Sequence, residues 1–306
     1  MSINFIDCPQ FLAELYNGDL MQIVPELEIH TDDLSRSRMM ALLADSEFVM
    51  NDHTYMDQDF LLNCKNLKAI VFLGTGASSF IDVEAATRQG IRVRTVKGYG
   101  DRSVAEHAIA LMFSAGRRVA EMDRSLRNGV WDTLNSIEFL GKKLGVVGTG
   151  GIGSEVVRIG SALGMEVLAW NRSGVPSRLP CKEVSLDYLL GNVDVFSLHL
   201  ALTKETKNII NAKRLRDLKN NAILINTSRA ALVDEVALLE CLKMGTIKHA
   251  ALDVFLEEPL AADNPFPDLD NVTLTAHAGW MTTEASIKLL RMSLLELSEE
   301  LSLIHI

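Results

Sequence analysis

Three polar side chains follow predicted strands in the second half of the chain, and their types suit one kind of chemistry. Arg229 comes after the strand AILI, Glu258 after AALDV, and His277 after VTLT. Because parallel strands end at one edge of a sheet, these groups are expected to converge. An arginine binds a carboxylate and polarises a carbonyl, a histidine donates a proton to a developing alkoxide, and a carboxylate keeps that histidine protonated. The set therefore suits reduction of a 2-keto acid.

Each of these residues also has an ordinary structural explanation. His277 alone could be a satisfied core or capping residue, and Glu258, which precedes a proline, could begin a turn. Arg229 could cap a helix or pair with Asp234. The spacing of the three residues leaves both interpretations open.

A glycine-rich stretch supplies a second chemical signal. The pattern predicts a strand over Leu144–Val147, a helix over Ile152–Leu163 and a second strand over Glu166–Trp170. Between the first strand and the helix stands G-x-G-x-x-G, whose glycines permit a tight turn, close approach to a pyrophosphate and close helix–strand packing. The helix N-terminus adds unpaired N–H groups for the phosphates. The sequence therefore predicts a dinucleotide site at Gly148, Gly150, Gly151, Ile152 and Gly153.

Composition and charge narrow the class of protein. The 306 residues are 48% hydrophobic and 23% charged, as in a globular protein, and the net charge is −10 without a lysine- or arginine-rich block. Nucleic acid and anionic membranes are therefore poor partners. The sequence shows neither a long apolar run nor a secretory leader, and its four cysteines are scattered, so we expect a cytoplasmic protein without a metal site.

The order of predicted elements indicates two domains. Strands alternate with helices, which favours parallel α/β sheets. We predict a nucleotide-binding domain over residues 96–278 and a substrate domain formed by residues 1–95 with 279–306. An amphipathic helix is predicted over Glu284–Leu303. We expect it to pack on the N-terminal domain, which would make that domain discontinuous in the sequence.

Several longer motifs occur in a fixed order along the chain: NLKAIVFLGTGASSFID (66–82), SVAEH (103–107), the glycine motif, DVFSLHLALTKET (194–206), INTSRAALVDE (225–235), ALDVFLEEP (251–259) and TAH (275–277). In these motifs the sequence resembles the D-isomer-specific 2-hydroxyacid dehydrogenases, in particular glyoxylate and hydroxypyruvate reductases. The resemblance implies a Rossmann dinucleotide-binding domain inserted in a flavodoxin-like substrate domain, both with doubly wound parallel sheets. It also implies a homodimer with contacts through residues 103–139.

The resemblance assigns roles to individual residues. Arg229 would bind the substrate, His277 would be the acid/base, and Glu258 would be its partner. The substrate carboxylate would be held by backbone N–H groups of Gly76 and Ala77. The implied cofactor contacts are Thr227 and Ser228, which would lie along the cofactor, and Asp253, which would bind the nicotinamide carboxamide.

The sequence departs from the family pattern in two places. Three departures exchange small residues next to the predicted catalytic residues, and one removes an acidic residue after the strand Glu166–Trp170. Ala230, Ala276 and Ala201 replace a glycine and two prolines, which puts fine positioning in doubt. After the second strand, Asn171-Arg172-Ser173 stand where NAD-preferring members have an aspartate for the ribose hydroxyls. Arginine attracts a 2′-phosphate, and the flanking asparagine and serine can donate hydrogen bonds to it. The sequence therefore predicts a preference for NADP over NAD, with NAD possible.

Two other histidines receive different interpretations. By resemblance His199 lies along the cofactor strand and outside the catalytic trio. Glu106 and His107, within a predicted helix, are most simply capping and packing residues.

The function predicted from the sequence is reduction of a small 2-keto acid to the D-2-hydroxy acid. One alternative is a cofactor-sensing binding protein of the corepressor type, which the lack of long terminal extensions disfavours. Another is a phosphoglycerate dehydrogenase, which usually carries an added regulatory domain, whereas this sequence ends soon after His277. A formate dehydrogenase is less consistent with the motifs.

Overall fold

The chain folds into two compact units, as seen in a computed structural model that describes residues 2–303. One unit runs to Gly100 and resumes at Met281, and the other spans Asp101–Trp280. The predicted boundaries lie a few residues earlier at both junctions. Each unit is built around a parallel sheet flanked by helices, which confirms the predicted fold class.

The first unit has a five-stranded sheet with the order β2-β1-β3-β4-β5, the flavodoxin-like order. Every neighbouring pair is parallel. Strands β1, β3 and β4 are buried throughout, as near-continuous apolar runs predict for a sheet covered on both faces. The strands are β1 (Ile3–Phe5), β2 (Glu28–Ile29), β3 (Phe48–Asn51), β4 (Ala69–Phe72) and β5 (Arg92–Thr95), and the helices are α1 (Gln10–Leu15), α2 (Arg36–Leu43), α3 (Gln58–Asn63) and α4 (Val83–Arg88).

Helices in the first unit begin where the sequence offers capping side chains. Asp57 accepts a hydrogen bond from the N–H of Phe60 at the start of α3, and Asp82 accepts one from Ala85 at the start of α4. These bonds satisfy N–H groups that have no partner within the helix. The sequence pattern predicts helices over Asp57–Leu62 and Asp82–Gln89, and both helices start one residue after the aspartate because that residue is the cap.

The second unit has a seven-stranded parallel sheet with the order β12-β11-β10-β9-β6-β7-β8. From β8 to β11 this is the Rossmann order, with its reversal between β6 and β9. The strands are β6 (Lys143–Val147), β7 (Glu166–Trp170), β8 (Lys182–Glu183), β9 (Val195–Leu198), β10 (Ile223–Asn226), β11 (His249–Leu252) and β12 (Val272–Leu274), and the helices are α5 (Asp101–Arg117), α6 (Val119–Arg127), α7 (Gly151–Ala162), α8 (Leu186–Asn192), α9 (Ala212–Asp217) and α10 (Glu235–Met244).

The segment after α5 differs from its prediction. The apolar spacing of the sequence predicts one long helix over Ser103–Val119, but Arg118 adopts a left-handed conformation (φ +54°) and separates α5 from α6. The more polar stretch Arg124–Lys143 is predicted from its composition to be an exposed arm. Its first part instead completes α6, and the part that follows carries Trp131 with 87% of its surface exposed.

The last helix returns the chain to the first unit. α11 spans Thr283–Ser302, one residue earlier at both ends than predicted, and it contacts β4 and α1. Glu300 is fully buried and accepts hydrogen bonds from Arg92 (2.6 Å) and Arg94 (2.5 Å) of β5, so the buried charge has two partners. Within residues 2–303 no helix is long and apolar enough to cross a membrane.

Candidate active site

Strand order alone places the predicted residues along one edge of the second unit's sheet. Because all strands are parallel, their carboxyl ends share that edge, where ligands of open α/β sheets bind. From one side to the other, the groups that follow successive strands are His277 (β12), Asp253 (β11), Arg229 (β10), His199 (β9), Gly148 (β6) and Asn171 (β7).

The glycine turn after β6 has a geometry that side chains would block. Gly148 has φ +95°, and a Cβ there would collide with the backbone oxygen of His199. A Cβ on Gly153 would collide with the backbone oxygen of Gly148. Gly150 is the N-cap of α7, and the helix begins at Gly151. The two glycines thus let the turn close tightly over the helix N-terminus, as dinucleotide binding requires.

Unpaired buried atoms around this turn fit a dinucleotide. Thr149 Oγ1, Thr227 Oγ1 and His199 Nδ1 are buried and have no hydrogen-bond partner within the described residues. Buried polar groups are normally paired, so these atoms can accept a partner from a bound ligand. Thr149 also lines an open groove of about 560 Å³, together with Gly150, Asn171, Ser173, Gly174, Val175 and Pro176. The groove and the helix N-terminus would hold the adenosine and pyrophosphate of a dinucleotide.

His199 is held as a neutral ring beside the turn. Its Nε2 lies 2.8 Å from Ser197 Oγ. Burial lowers the pKa of His199 to about 3. A ring that stays neutral at physiological pH is a poor proton donor in the reaction. Its place beside Gly148 is consistent with the prediction that it lies along the cofactor.

Asn171 uses its side chain within the protein. Its Oδ1 accepts a hydrogen bond from the N–H of Thr149 (3.3 Å), and its Nδ2 donates to Ser173 Oγ (2.9 Å) and to the Gly174 oxygen (3.0 Å). Asn171 therefore joins the end of β7 to the glycine turn, which the sequence did not predict. Of the three residues predicted to contact a 2′-phosphate, Arg172 has an exposed side chain and Asn171 has its amide donors engaged.

The turn after β10 presents Arg229. Asn226 Nδ2 donates to the Arg229 oxygen (2.9 Å), and Asn226 Oδ1 accepts from the N–H of Ser228 (3.0 Å). Ser228 Oγ donates to the Leu198 oxygen (2.8 Å) and anchors the turn to β9. Arg229 Nη1 donates to the Ser228 oxygen (2.6 Å).

The two structural alternatives for Arg229 are not observed. Its side chain makes no capping hydrogen bond to the short 3₁₀ helix that follows it. Asp234 accepts instead from the N–H of Ala237 and caps α10. The guanidinium therefore retains further donors for a ligand.

His277 and Glu258 form a direct pair. His277 Nδ1 donates to Glu258 Oε2 at 2.6 Å, and the other oxygen, Oε1, accepts from the N–H of Phe255 at 2.8 Å. Because the carboxylate occupies Nδ1, the Nε2 atom is left to face a ligand. Both side chains remain more than one third exposed, so His277 is not a core residue. Its φ of +52° is unusual for a side-chain-bearing residue.

Asp253 is fully buried, and its carboxylate has four partners. Oδ1 accepts from Thr275 Oγ1 (2.6 Å) and the N–H of Ala278 (2.9 Å), Oδ2 accepts from the N–H of Gly279 (3.0 Å), and His107 Nε2 lies 3.3 Å from Oδ1. Burial alone would raise the pKa of Asp253, but the bonds from His107, Thr275 and Ala278 outweigh it and lower the pKa. The geometry makes Asp253 a structural anchor of this loop, and its contact with a carboxamide stays a prediction.

The structure adds polar contacts to the predicted packing role of His107. Its ring belongs to a polar network with Thr275 and Asp253, which lie far from it in the sequence. Its helix neighbour Glu106 pairs with Arg102 at 2.6 Å on the exposed face of α5. No spacing rule connects His107 to the strand ends, so the sequence offered no signal for this contact.

Gly76 and Ala77 belong to the first unit. Gly76 is the N-cap of a 3₁₀ helix over Ala77–Ser79 that follows β4, and Ala77 is buried. The turn thus lies at the carboxyl edge of that unit's own sheet. Within residues 2–303 no group of His, Cys, Asp and Glu side chains could hold a metal ion.

Comparisons with known proteins agree with this architecture. Residues 109–279 match the family described as "D-isomer specific 2-hydroxyacid dehydrogenase, NAD binding domain". A hydroxypyruvate reductase from Thermotoga maritima is 37% identical over 265 residues, which cover 85% of this chain and 86% of that protein. Among solved structures, an acyclic imino acid reductase in complex with NADPH and D-Arg has a TM-score of 0.86 at 28% identity, covering 99% of this chain and 98% of that one.

A D-3-phosphoglycerate dehydrogenase from Archaeoglobus fulgidus is 38% identical over 268 residues. These residues are 86% of this chain but 50% of that protein, so the chain spans about half the length of this relative. Fold and site together define a two-domain protein with a Rossmann dinucleotide-binding unit. The chain belongs to the D-isomer specific 2-hydroxyacid dehydrogenase family.

Proposed function

We propose that this protein reduces a small 2-keto acid of the glyoxylate or hydroxypyruvate type to the D-2-hydroxy acid with NADPH or NADH. The observation that carries the proposal is the hydrogen bond between His277 Nδ1 and Glu258 Oε2, 2.6 Å long, at the sheet edge that also holds the glycine turn. It is supported by the hydroxypyruvate reductase that matches this chain over 86% of its own length.

The chemical roles follow from the donors and acceptors. When bound, the nicotinamide supplies a hydride to the keto carbon. Glu258 fixes the His277 ring through Nδ1, so that Nε2 gives its proton to the developing alkoxide. Arg229, whose guanidinium has five donors, binds the carboxylate and polarises the carbonyl. The backbone N–H groups of Gly76 and Ala77 are proposed to bind a substrate carboxylate.

A substrate panel tests the function directly. Loss of nicotinamide absorbance is followed with glyoxylate, hydroxypyruvate, pyruvate, phenylpyruvate and a branched 2-keto acid, with each cofactor. We expect the highest kcat/KM with one of the two smallest polar acids. Absence of turnover with every acid, together with saturable NADPH binding, would instead support the cofactor-sensing binding protein.

Arg172 supports a preference for NADPH. Its exposed side chain follows β7, where an acid would repel a 2′-phosphate. The preference is also supported by the structurally similar acyclic imino acid reductase, whose solved structure is a complex with NADPH. Arg172→Ala should lower kcat/KM for NADPH about tenfold, the worth of one charged hydrogen bond, and leave NADH unchanged. Arg178 is also an exposed arginine on the same loop, so Arg178→Ala is the matched control. A kcat/KM of the unmodified protein that is equal or higher with NADH than with NADPH would contradict the preference.

A phosphoglycerate dehydrogenase activity is the second candidate, because the Archaeoglobus enzyme of that name is 38% identical. Its substrate carries a phosphate at the far end, whereas glyoxylate carries none. Oxidation of 3-phosphoglycerate with kcat/KM above that for D-glycerate would favour this candidate over the first.

We also propose that the protein is a homodimer through residues 103–139. Large apolar side chains that are close together in the sequence are exposed on and after α6, and groups of such side chains are typical of protein–protein contacts. They are Val119 (53%), Leu126 (53%), Val130 (53%) and Trp131 (87%). Sedimentation of Trp131→Glu should show more monomer than the unmodified protein; an unchanged distribution contradicts this interface.

A further inference from the structure

His107 connects helix α5 to the loop that carries His277. Its Nε2 lies 3.0 Å from Thr275 Oγ1 and 3.3 Å from Asp253 Oδ1. Thr275 and Asp253 follow β12 and β11, so three separate elements meet at this point. The side chain of His107 is 22% exposed and that of Asp253 only 1%.

The direction of these hydrogen bonds is fixed by chemistry. An ionised carboxylate only accepts, so the Thr275 hydroxyl must donate to Asp253 across their 2.6 Å contact. Having used its one proton, the Thr275 oxygen must accept from His107. His107 therefore carries a proton on Nε2 and donates it into the network.

Asp253 clamps the backbone on both sides of the His277 Cα. Its backbone oxygen accepts the N–H of His277 (2.8 Å), and its carboxylate accepts the N–H groups of Ala278 (2.9 Å) and Gly279 (3.0 Å). These bonds hold the left-handed conformation of His277, which a residue with a side chain adopts only when its surroundings impose it.

The loop that follows His277 is closely packed against the Asp253 carboxylate. A Cβ on Gly279 would lie 3.0 Å from Asp253 Oδ2 and 3.5 Å from His107 Cδ2. The loop therefore fits closely between the carboxylate and the imidazole ring. The other three partners of the carboxylate belong to the loop itself, whereas His107 contacts it from a helix.

We propose that His107 is a positioning residue for the reaction: its Nε2–H orients Thr275 and Asp253, which in turn hold His277 where it pairs with Glu258. The inference rests on the proposed function, since it assigns His277 as the proton donor. The contacts of His107 with Thr275 and Asp253 are called the bridge below. If the bridge holds His277 in place, moving the His107 donor should misplace His277 without altering the glycine turn or Arg229.

Two substitutions distinguish the effect of moving the Nε2–H donor of His107 from the effect of losing its imidazole ring. His107→Gln can keep an N–H donor near the Nε2 position, whereas His107→Asn withdraws it by about one methylene. With the preferred keto acid and saturating cofactor, we expect His107→Asn to lower kcat about tenfold to a hundredfold, because small misplacements of a catalytic group cost this much. KM for the cofactor should stay within about twofold in both variants, and His107→Gln should recover most of kcat. Glu106→Gln, on the exposed face of the same helix, is the control.

A second readout does not depend on turnover. ¹⁵N-histidine spectra, with the His277 signals assigned by their loss in His277→Ala, report the chemical shifts of the two ring nitrogens at a fixed pH. We expect these shifts to change in His107→Asn and to return toward the unmodified values in His107→Gln. Unchanged His277 shifts together with unchanged kcat in His107→Asn would overturn the positioning role, and so would equal losses of kcat in both variants. If the unmodified protein turns over no keto acid, the proposed function fails, while the spectra still report on the bridge.

Discussion

Each unit of this protein carries a histidine whose Nδ1 faces a carboxylate at the end of a parallel strand. In the second unit, His277 meets Glu258 at 2.6 Å, and in the first, His53 meets Asp52 at 2.8 Å. Both rings are exposed, by 39% and 64% respectively. On distance and exposure alone, the two pairs would be equally good candidates for acid/base chemistry.

Their surroundings separate them. Glu258 is partly exposed and is brought to His277 by the fold, while Asp52 is buried and is the chain neighbour of His53. Asp7 accepts the N–H groups of Asp52, His53 and Thr54, so that pair sits on a tightly bonded turn. Burial raises the pKa of Asp52, and the contact with Asp52 raises the pKa of His53.

The His277–Glu258 pair shares its sheet edge with other groups that can bind a ligand. Along the same sheet edge lie Arg229, the orphaned Thr227 hydroxyl and the glycine turn. A histidine–carboxylate distance is therefore weak support for catalysis by itself. What distinguishes the second pair is the set of ligand-binding groups that its sheet aligns with it.

The largest expected effect is loss of the proton donor. His277→Ala should lower kcat by about 10²–10⁴-fold, the usual contribution of a general acid, while cofactor binding measured by nicotinamide fluorescence stays within about twofold. A rate near that of the unmodified protein would remove His277 from the mechanism and make the two pairs equivalent again.

Arg229→Ala is expected to be nearly as damaging. Loss of a donor that stabilises charge in the transition state costs about 10²–10³-fold in rate. Because the same guanidinium is proposed to bind the substrate carboxylate, KM for the keto acid should rise as kcat falls. Arg229→Lys should recover only part, since an ammonium lacks the planar fork. Unchanged kcat and KM would contradict the assignment.

Glu258→Gln should lower kcat for keto-acid reduction by about tenfold, because the amide replaces the charged acceptor that fixes the Nδ1–H of His277. The measurement is kcat at saturating keto acid and cofactor in both proteins. An unchanged kcat would count against the pairing.

The smallest effect is predicted for the pair in the first unit. His53→Gln should leave kcat with glyoxylate within about threefold, since its ring is assigned no proton transfer. A histidine with a raised pKa stabilises the folded state below its unfolded pKa, and the contribution disappears as pH rises through the folded pKa. The variant should thus be less stable by under about 1 kcal/mol at pH 6, with the difference vanishing at alkaline pH. Urea unfolding at both pH values measures this; a loss of kcat as large as in His277→Ala would invert the comparison.

Features that depend on local order could be predicted from the amino-acid sequence. Glycine spacing predicted the turn between β6 and α7, alternating strands and helices predicted parallel sheets, and strand ends predicted the edge where Arg229 and His277 lie. These features are readable because a tight turn, a helix cap or a strand end depends on residues close together in the chain. Asp57 and Asp82, for example, cap helices that begin one residue later.

Contacts between side chains that are distant in the sequence could not be predicted in this way. His107 and Thr275 lie 168 positions apart, and their contact exists only because α5 packs beside the ends of β11 and β12. The same packing buries Asp253, whose carboxylate anchors the His277 loop. At the other side of the sheet, the Asn171 amide donates hydrogen bonds within the protein. Such contacts depend on the relative placement of whole helices and strands, which local spacing does not encode.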